Sequence, residues 1–194
     1  AVGESVAGKK AGWRAPLWGA ICGTIPDLDV ISSSFMHVVD SNAFHRTITH
    51  SIVFFVILSP LLGYLIHRIH KGQPATRKDW TWLAFWSLFT HALLDAFTTW
   101  GTALFWPSSY KVAFQSIFVI DPLYTLPLLI FTTLAIIRKR NDQKRSRLNY
   151  TGLILSSVYL ISTLFIKWHV NQIFYESLSA QEFDYDRMET RPAP

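Results

Sequence analysis

An all-α, polytopic bundle of about five transmembrane or partly spanning helices is the fold that the sequence predicts. Three observations predict it. Half of the 194 residues are hydrophobic and 16% are charged, against about 25% charged in an ordinary soluble domain. Several long stretches contain almost no Asp, Glu, Lys or Arg, and the basic residues gather in the connections between them. The apolar residues show no period of two, which argues against a membrane β-barrel.

The candidate spans follow in order. Residues 15–39 are apolar apart from Asp27 and Asp29, and Pro26 breaks them, so this stretch either crosses or ends in unwound chain. Residues 47–67 (TITHSIVFFVILSPLLGYLIH) and 148–166 (LNYTGLILSSVYLISTLFI) are free of charge. Residues 80–110 are interrupted by Asp95 alone, and 112–137 by Asp121 alone. Each is near or above the roughly 20 residues that a helix needs to cross the hydrocarbon core. Residues 1–176 are expected to form one membrane domain, with 177–194 as the polar start of a further segment. The opening AVGESVAGKK reads as the tail of a leading helix. With the RPAP end, it suggests a chain trimmed at both ends.

Charge gives this bundle a direction. Lys9, Lys10 and Arg14 precede the first span. Arg68, Lys71, Arg77 and Lys78 join the second and third. Arg138, Lys139, Arg140, Lys144, Arg145 and Arg147 join the fourth and fifth. Thirteen of the 18 Lys and Arg thus fall on one side, which the positive-inside rule makes cytoplasmic. The net charge of +5 and pI near 9.4 are explained by topology, and no nucleic-acid partner is expected. The single cysteine, Cys22, permits neither an internal disulfide nor a Cys-based zinc site.

Histidines and acids collect at the opposite ends of the spans. Asp27, Asp29, His45, His50, His91, Asp95 and Asp121 all lie there, and ionisable groups at membrane depth are functional candidates by default. His91 and Asp95 are four apart, so on a helix they share a face and can offer two ligand atoms to one ion. Asp27 and Asp29 follow a proline; a turn could converge them or split them between two ions. His45 and His50 would diverge on a continuous helix, which places His45 in the entering loop and His50 in the first turn. Each motif alone fits a structural role, but three of them fall at one depth in consecutive segments. Mixed His and Asp ligands suit zinc, with manganese or iron as alternatives. His37 and His169 read as interfacial, and Trp80, Trp82, Trp86, Trp100 and Trp106 as interfacial anchors and lipid-facing packing. Ser51 lacks a nucleophile elbow, which disfavours a serine hydrolase.

PDLD, HRTITHS, HALLDAFTTWG and the Trp106–Pro107 pair together resemble the signature of the YdjM-like bacterial membrane proteins, described as LexA-regulated, membrane-bound metal-dependent hydrolases. The resemblance covers residues 1–125 or so. It implies a multi-span protein of the bacterial inner membrane, with Asp27, Asp29, His45, His50, His91 and Asp95 as the polar site residues. Thr47 stands where many members carry Gly after the His-Arg pair.

The function expected from these residues is hydrolysis by a metal-activated water of an ester, most plausibly a phosphoester of a lipid or lipid-linked substrate. Asp27 or Asp29 would act as general base, and Arg46 would hold an anionic group or the developing charge. The membrane lipids are the expected surroundings, and the site would open on the extracytoplasmic side. A non-enzymatic, metal-stabilised scaffold or regulator is the second expectation. Metal or proton transport ranks third, because few polar residues continue through the cytoplasmic halves of the spans.

Overall fold

The computed structural model describes residues 1–33, 46–181 and 190–192. Helix α1 (Val2–Ala11) and helix α2 (Arg14–Thr24) open the chain. A 3-10 turn (Pro26–Asp29) and the short α3 (Val30–Ser33) follow. A second 3-10 turn (Ile48–His50) leads into α4 (Ile52–Ile69). Then come α5 (Arg77–Phe97), α6 (Pro122–Ile136) and α7 (Gln143–Ala180). Among the described residues there are no strands; one isolated antiparallel bridge pairs Thr102 with Val112.

The prediction of helices holds, and the candidate spans differ in length. Among the described residues, α4 and α7 are long and apolar enough to cross a membrane. Helix α2 has 11 residues, or about 16 Å of rise. It ends at Thr24, and Pro26, which has no amide proton to donate, opens a 3-10 turn, so the first stretch is a short helix followed by a tight turn. The fourth stretch begins ten residues late. Pro122 occupies the first helical position, and the Asp121 carboxylate accepts from the Leu123 and Tyr124 amides, a cap that starts the helix there. Helix α6 therefore has 15 residues, or about 22 Å, short of the hydrocarbon thickness. Helix α7 continues to Ala180, across the expected boundary at residue 177.

Packing forms two cores. One joins α1, α2, α4 and α5 around Ala7, Ala15, Ile66, Trp80 and Leu83; the other packs Phe55 against Leu88, Ala92 and Leu104. Small residues allow close approach. A side chain on Gly3 would lie 2.9 Å from Gly19 Cα, and one on Gly63 would lie 2.7 Å from Thr81 Cα. Trp80, expected at the interface, is fully buried, its ring against His70 at 5.8 Å between centroids. Trp82, Trp86 and Trp100 are exposed as expected. Helices α6 and α7 pack on each other, while Leu123, Ile130, Ile154 and Phe165 point outward.

Helices α4 and α5 run antiparallel. His70 meets Trp80 at one end of the pair, and His50 meets Asp95 at the other. The basic residues Arg68, Arg77 and Lys78 sit at the first end and the His/Asp residues at the second, as the charge pattern predicts.

Candidate metal centre

Three segments build the site, and local hydrogen bonding places each. The Pro26–Asp29 turn presents Asp27 and Asp29 in different directions, because successive residues of a 3-10 helix are about 120° apart. The second 3-10 turn ends on His50, and Ser51 then caps α4 by accepting from the Phe54 amide. The Ser51 hydroxyl itself donates to the Ile48 carbonyl, so it is committed to the cap. The chain after α5 holds this turn in place. The Ala103 amide donates to the Arg46 carbonyl and the Ile52 amide to the Leu104 carbonyl, both at 3.0 Å. Arg46 takes a positive φ of 62°, so the left-handed position falls one residue before Thr47. His91 and Asp95 lie one turn apart near the end of α5.

Four ligand atoms from these segments surround one point. His50 Nε2 lies 3.5 Å from Asp27 Oδ1 and 3.3 Å from Asp95 Oδ2. His91 Nε2 lies 3.3 Å from Asp27 Oδ1 and 3.5 Å from Asp95 Oδ2. All four atoms fall within 4.8 Å of one another. Charge-assisted hydrogen bonds would be about 2.7–2.9 Å, so these contacts are too long for tight pairs. Donors at 2.0–2.2 Å from a four-coordinate centre stand about 3.3–3.5 Å apart. The four His–Asp separations fall in that range, so the group could hold one small cation. Asp95 Oδ2 adds a second sign, since it is buried and accepts no hydrogen bond among the described residues.

Proton bookkeeping at His50 fixes the role of one of its nitrogens. The Thr49 hydroxyl donates to Asp29 Oδ2 at 2.7 Å and stands 3.0 Å from His50 Nδ1. A hydroxyl has one proton, and a carboxylate can only accept. The Thr49 oxygen must therefore accept from His50 Nδ1–H. Nε2 then either carries a second proton or turns its lone pair toward two carboxylate oxygens. The second arrangement requires a cation between them, and a fixed Nδ1 tautomer is the usual preparation of a metal-ligating histidine.

The sequence-predicted residues divide as follows. Asp27, His50, His91 and Asp95 come together in a group that could hold a metal ion. Asp29 stands beside this group. Its Oδ2 accepts from Thr49 and from the Arg46 amide at 3.3 Å, and lies 3.7 Å from His50 Nδ1. Arg46 is buried, with Nε 3.6 Å from Asp95 Oδ2 and Nη1 donating to the Thr98 hydroxyl at 2.9 Å. His45 and His37 lie outside the described residues. Asp121 caps α6 and accepts from the Tyr159 hydroxyl at 2.8 Å, and is no part of the group. Thr49 was missed in the sequence. Neighbouring residues do not face one another on an α-helix, and nothing but the tight turn brings its hydroxyl to His50.

The sequence model of the YdjM inner membrane protein family matches residues 1–170. The chain belongs to that family. A stretch of 89 residues is also 39% identical to the inner membrane protein YbcI of Escherichia coli strain K12, covering 45% of this chain and 49% of YbcI. The chain thus spans about half the length of the curated relative that it matches. No solved structure matches it. Membership of an inner membrane family accounts for the outward apolar side chains of α6 and α7 in this YdjM-family chain.

Proposed function

We propose that this YdjM-family chain is a metal-dependent hydrolase acting at the membrane surface on an ester, namely a phosphoester of a lipid or lipid-linked substrate. One observation carries the reading: the four convergent donors, of which Asp27 has a half-exposed side chain while that of His50 is fully buried. Mixed His and Asp donors suit zinc, with manganese or iron as alternatives.

A divalent ion held there would supply Lewis acidity and activate water at neutral pH. His50, His91 and Asp95, the more buried members, would hold it. Asp27, on the open side, would take the proton from the attacking water. Arg46, whose Nε lies 3.6 Å from Asp95 Oδ2, would bind the anionic group of the substrate or its developing charge. In this reading the chain crosses the membrane several times with its basic connections in the cytoplasm, and the site opens on the extracytoplasmic face. A non-enzymatic scaffold is favoured by a different aspect of the same geometry: four protein donors close a tetrahedral site, as in structural zinc centres.

Metal analysis of the detergent-purified chain, joined to a phosphoester and lipid-phosphate hydrolysis screen, tests both readings. Hydrolysis that His50→Ala abolishes, and that Asp27→Asn abolishes without loss of metal, supports the enzyme. Stoichiometric metal with no hydrolysis, together with lower thermal stability after chelation, supports the scaffold. Activity equal in wild type and His50→Ala removes the enzyme reading.

A further inference from the structure

At the basic end of the molecule, opposite the His/Asp group, a cavity of about 590 Å³ opens between α1, the turn after α6 and the first turns of α7. Its back wall is a buried ion pair. Arg145 Nε and Nη2 donate to the two carboxylate oxygens of Glu4 at 2.6 and 2.7 Å, which fixes α1 against α7. Both acids that line the cavity are committed, Glu4 to Arg145 and Asp142 to capping the Lys144 amide. The cations at the mouth are not neutralised. Lys9 and Arg147 are exposed and form no ion pair among the described residues. Arg140 spends Nε on the Lys9 carbonyl at 2.6 Å, and its two terminal nitrogens remain for a ligand.

A neutral acceptor lies deeper. Asn149 is buried, and its Nδ2 donates to the Ala1 carbonyl and the Ser5 hydroxyl. A carbonyl can only accept, so the amide orientation is fixed, and Oδ1 is left buried with no donor among the described residues. Below the cavity, Tyr150, Ile154 and Val158 are exposed and recur every fourth residue, forming one apolar stripe along α7. Cations at the mouth, an acceptor behind them and an apolar track beneath match the parts of a phospholipid: phosphate, headgroup hydroxyl and acyl chain.

We propose that this cavity binds the headgroup of an anionic phospholipid, with the phosphate held by Lys9, Arg140 and Arg147 and a glycerol-type hydroxyl donating to Asn149 Oδ1. A basic pocket on the side of a membrane protein that carries the positive connections is suited to such a lipid. The site lies apart from the His/Asp group and stands or falls without the hydrolase reading.

Native mass spectrometry of the detergent-solubilised chain, titrated with phosphatidylglycerol, phosphatidylcholine and inorganic phosphate in separate arms, tests it. Phosphatidylglycerol is expected to bind in preference to phosphatidylcholine, and Lys9→Gln/Arg147→Gln is expected to weaken it by about five-fold for each cation removed. That variant leaves the Arg140 contact and the Glu4–Arg145 pair intact, and its helicity by circular dichroism should equal wild type. Asn149→Leu should reduce the preference for phosphatidylglycerol over phosphatidic acid, which has no glycerol hydroxyl. Equal binding of both phospholipids, or undiminished phosphatidylglycerol binding in the cation variant, would overturn the proposal. Inorganic phosphate binding as tightly as the lipid would overturn its assignment to a lipid headgroup.

Discussion

His50 Nε2 and Asp95 Oδ2 lie 3.3 Å apart, although one belongs to the turn entering α4 and the other to the end of α5. The antiparallel pairing of these helices closes that distance, and Asp27 and His91 complete the group. If the group holds a cation, removal of His50, His91 or Asp95 should cost more than the roughly 10–100-fold in affinity that loss of an outer partner costs. Purified wild-type protein is expected to carry about one equivalent of divalent metal. His91→Ala and Asp95→Ala should lower that content when measured by plasma emission spectrometry. Unchanged occupancy in both variants would leave the four residues as a hydrogen-bonded structural cluster.

Thr49 fixes His50 without contacting the cation position. Thr49→Val removes the acceptor of His50 Nδ1–H and leaves Asp29 Oδ2 one donor poorer. Metal affinity should fall by about 10–100-fold, while Thr49→Ser, which keeps the hydroxyl, should restore it. Competition with a chromophoric chelator measures both. A Thr49→Val affinity equal to wild type would show that the tautomer is set by something else.

The sequence made the His91/Asp95 pair legible, since four residues on a helix fix two side chains to one face whatever surrounds them. It also made the polarity of the bundle legible, because basic connections alternate with His/Asp ends, and Asp27 and His91 do meet, at 3.3 Å. The different settings of Asp27 and Asp29 were not legible. They depend on whether the chain after Pro26 is extended or wound into a 3-10 turn, which residue types alone leave open. Asp121 looked like a member of the cluster because capping and ligating carboxylates share one composition; the Pro122 that follows it is the cue to the cap. Trp80 looked like an interfacial anchor because it begins an apolar stretch, and its burial comes from α2 and the end of α4 folding over that turn.

Gly63 sets how closely α4 approaches α5, and hence how His50 meets His91 and Asp95. A methyl group there would collide with the Thr81 backbone and hydroxyl. Gly63→Ala should therefore destabilise the chain by about 1–3 kcal/mol, the usual cost of overpacking. It should also weaken metal binding, although residue 63 is remote from the site. Thermal unfolding followed by circular dichroism, in parallel with the chelator competition, reads both effects. A stable variant with unchanged metal affinity would show that the helix pair adjusts independently of the site.

The other end of α5 has a pH dependence whose sign is fixed. Burial pushes the Asp79 carboxyl up, but the Lys10 ammonium at 2.7 Å and the Thr76 amide and hydroxyl outweigh it and hold the carboxyl below its ordinary value. The folded chain then binds this proton more weakly than the unfolded chain. The resulting stabilisation is complete above the ordinary carboxylate value of about 4 and disappears as pH falls through the lower folded value. Lys10 is half exposed, so the ion pair contributes about 0.2–1 kcal/mol. Asp79→Asn should melt earlier than wild type near neutral pH, and the gap should close on acidification below about pH 4. A gap that persists in acid would assign the effect to packing.

Sidedness can be tested at the first residue of α7. Cys22 is buried, so a cysteine introduced by Gln143→Cys is the reactive one toward an impermeant maleimide. Residue 143 is exposed and lies amid six basic residues from Arg138 to Arg147, the strongest positive cluster in the chain. Positive connections are retained in the cytoplasm. Label added to intact spheroplasts should therefore fail to reach the cysteine, and label added to inverted vesicles should reach it. A cysteine in place of the exposed Trp100, at the His/Asp end, should show the reverse. Labelling of residue 143 from outside would invert the orientation and move the His/Asp group to the cytoplasmic face, where a substrate presented at the outer leaflet could not reach it.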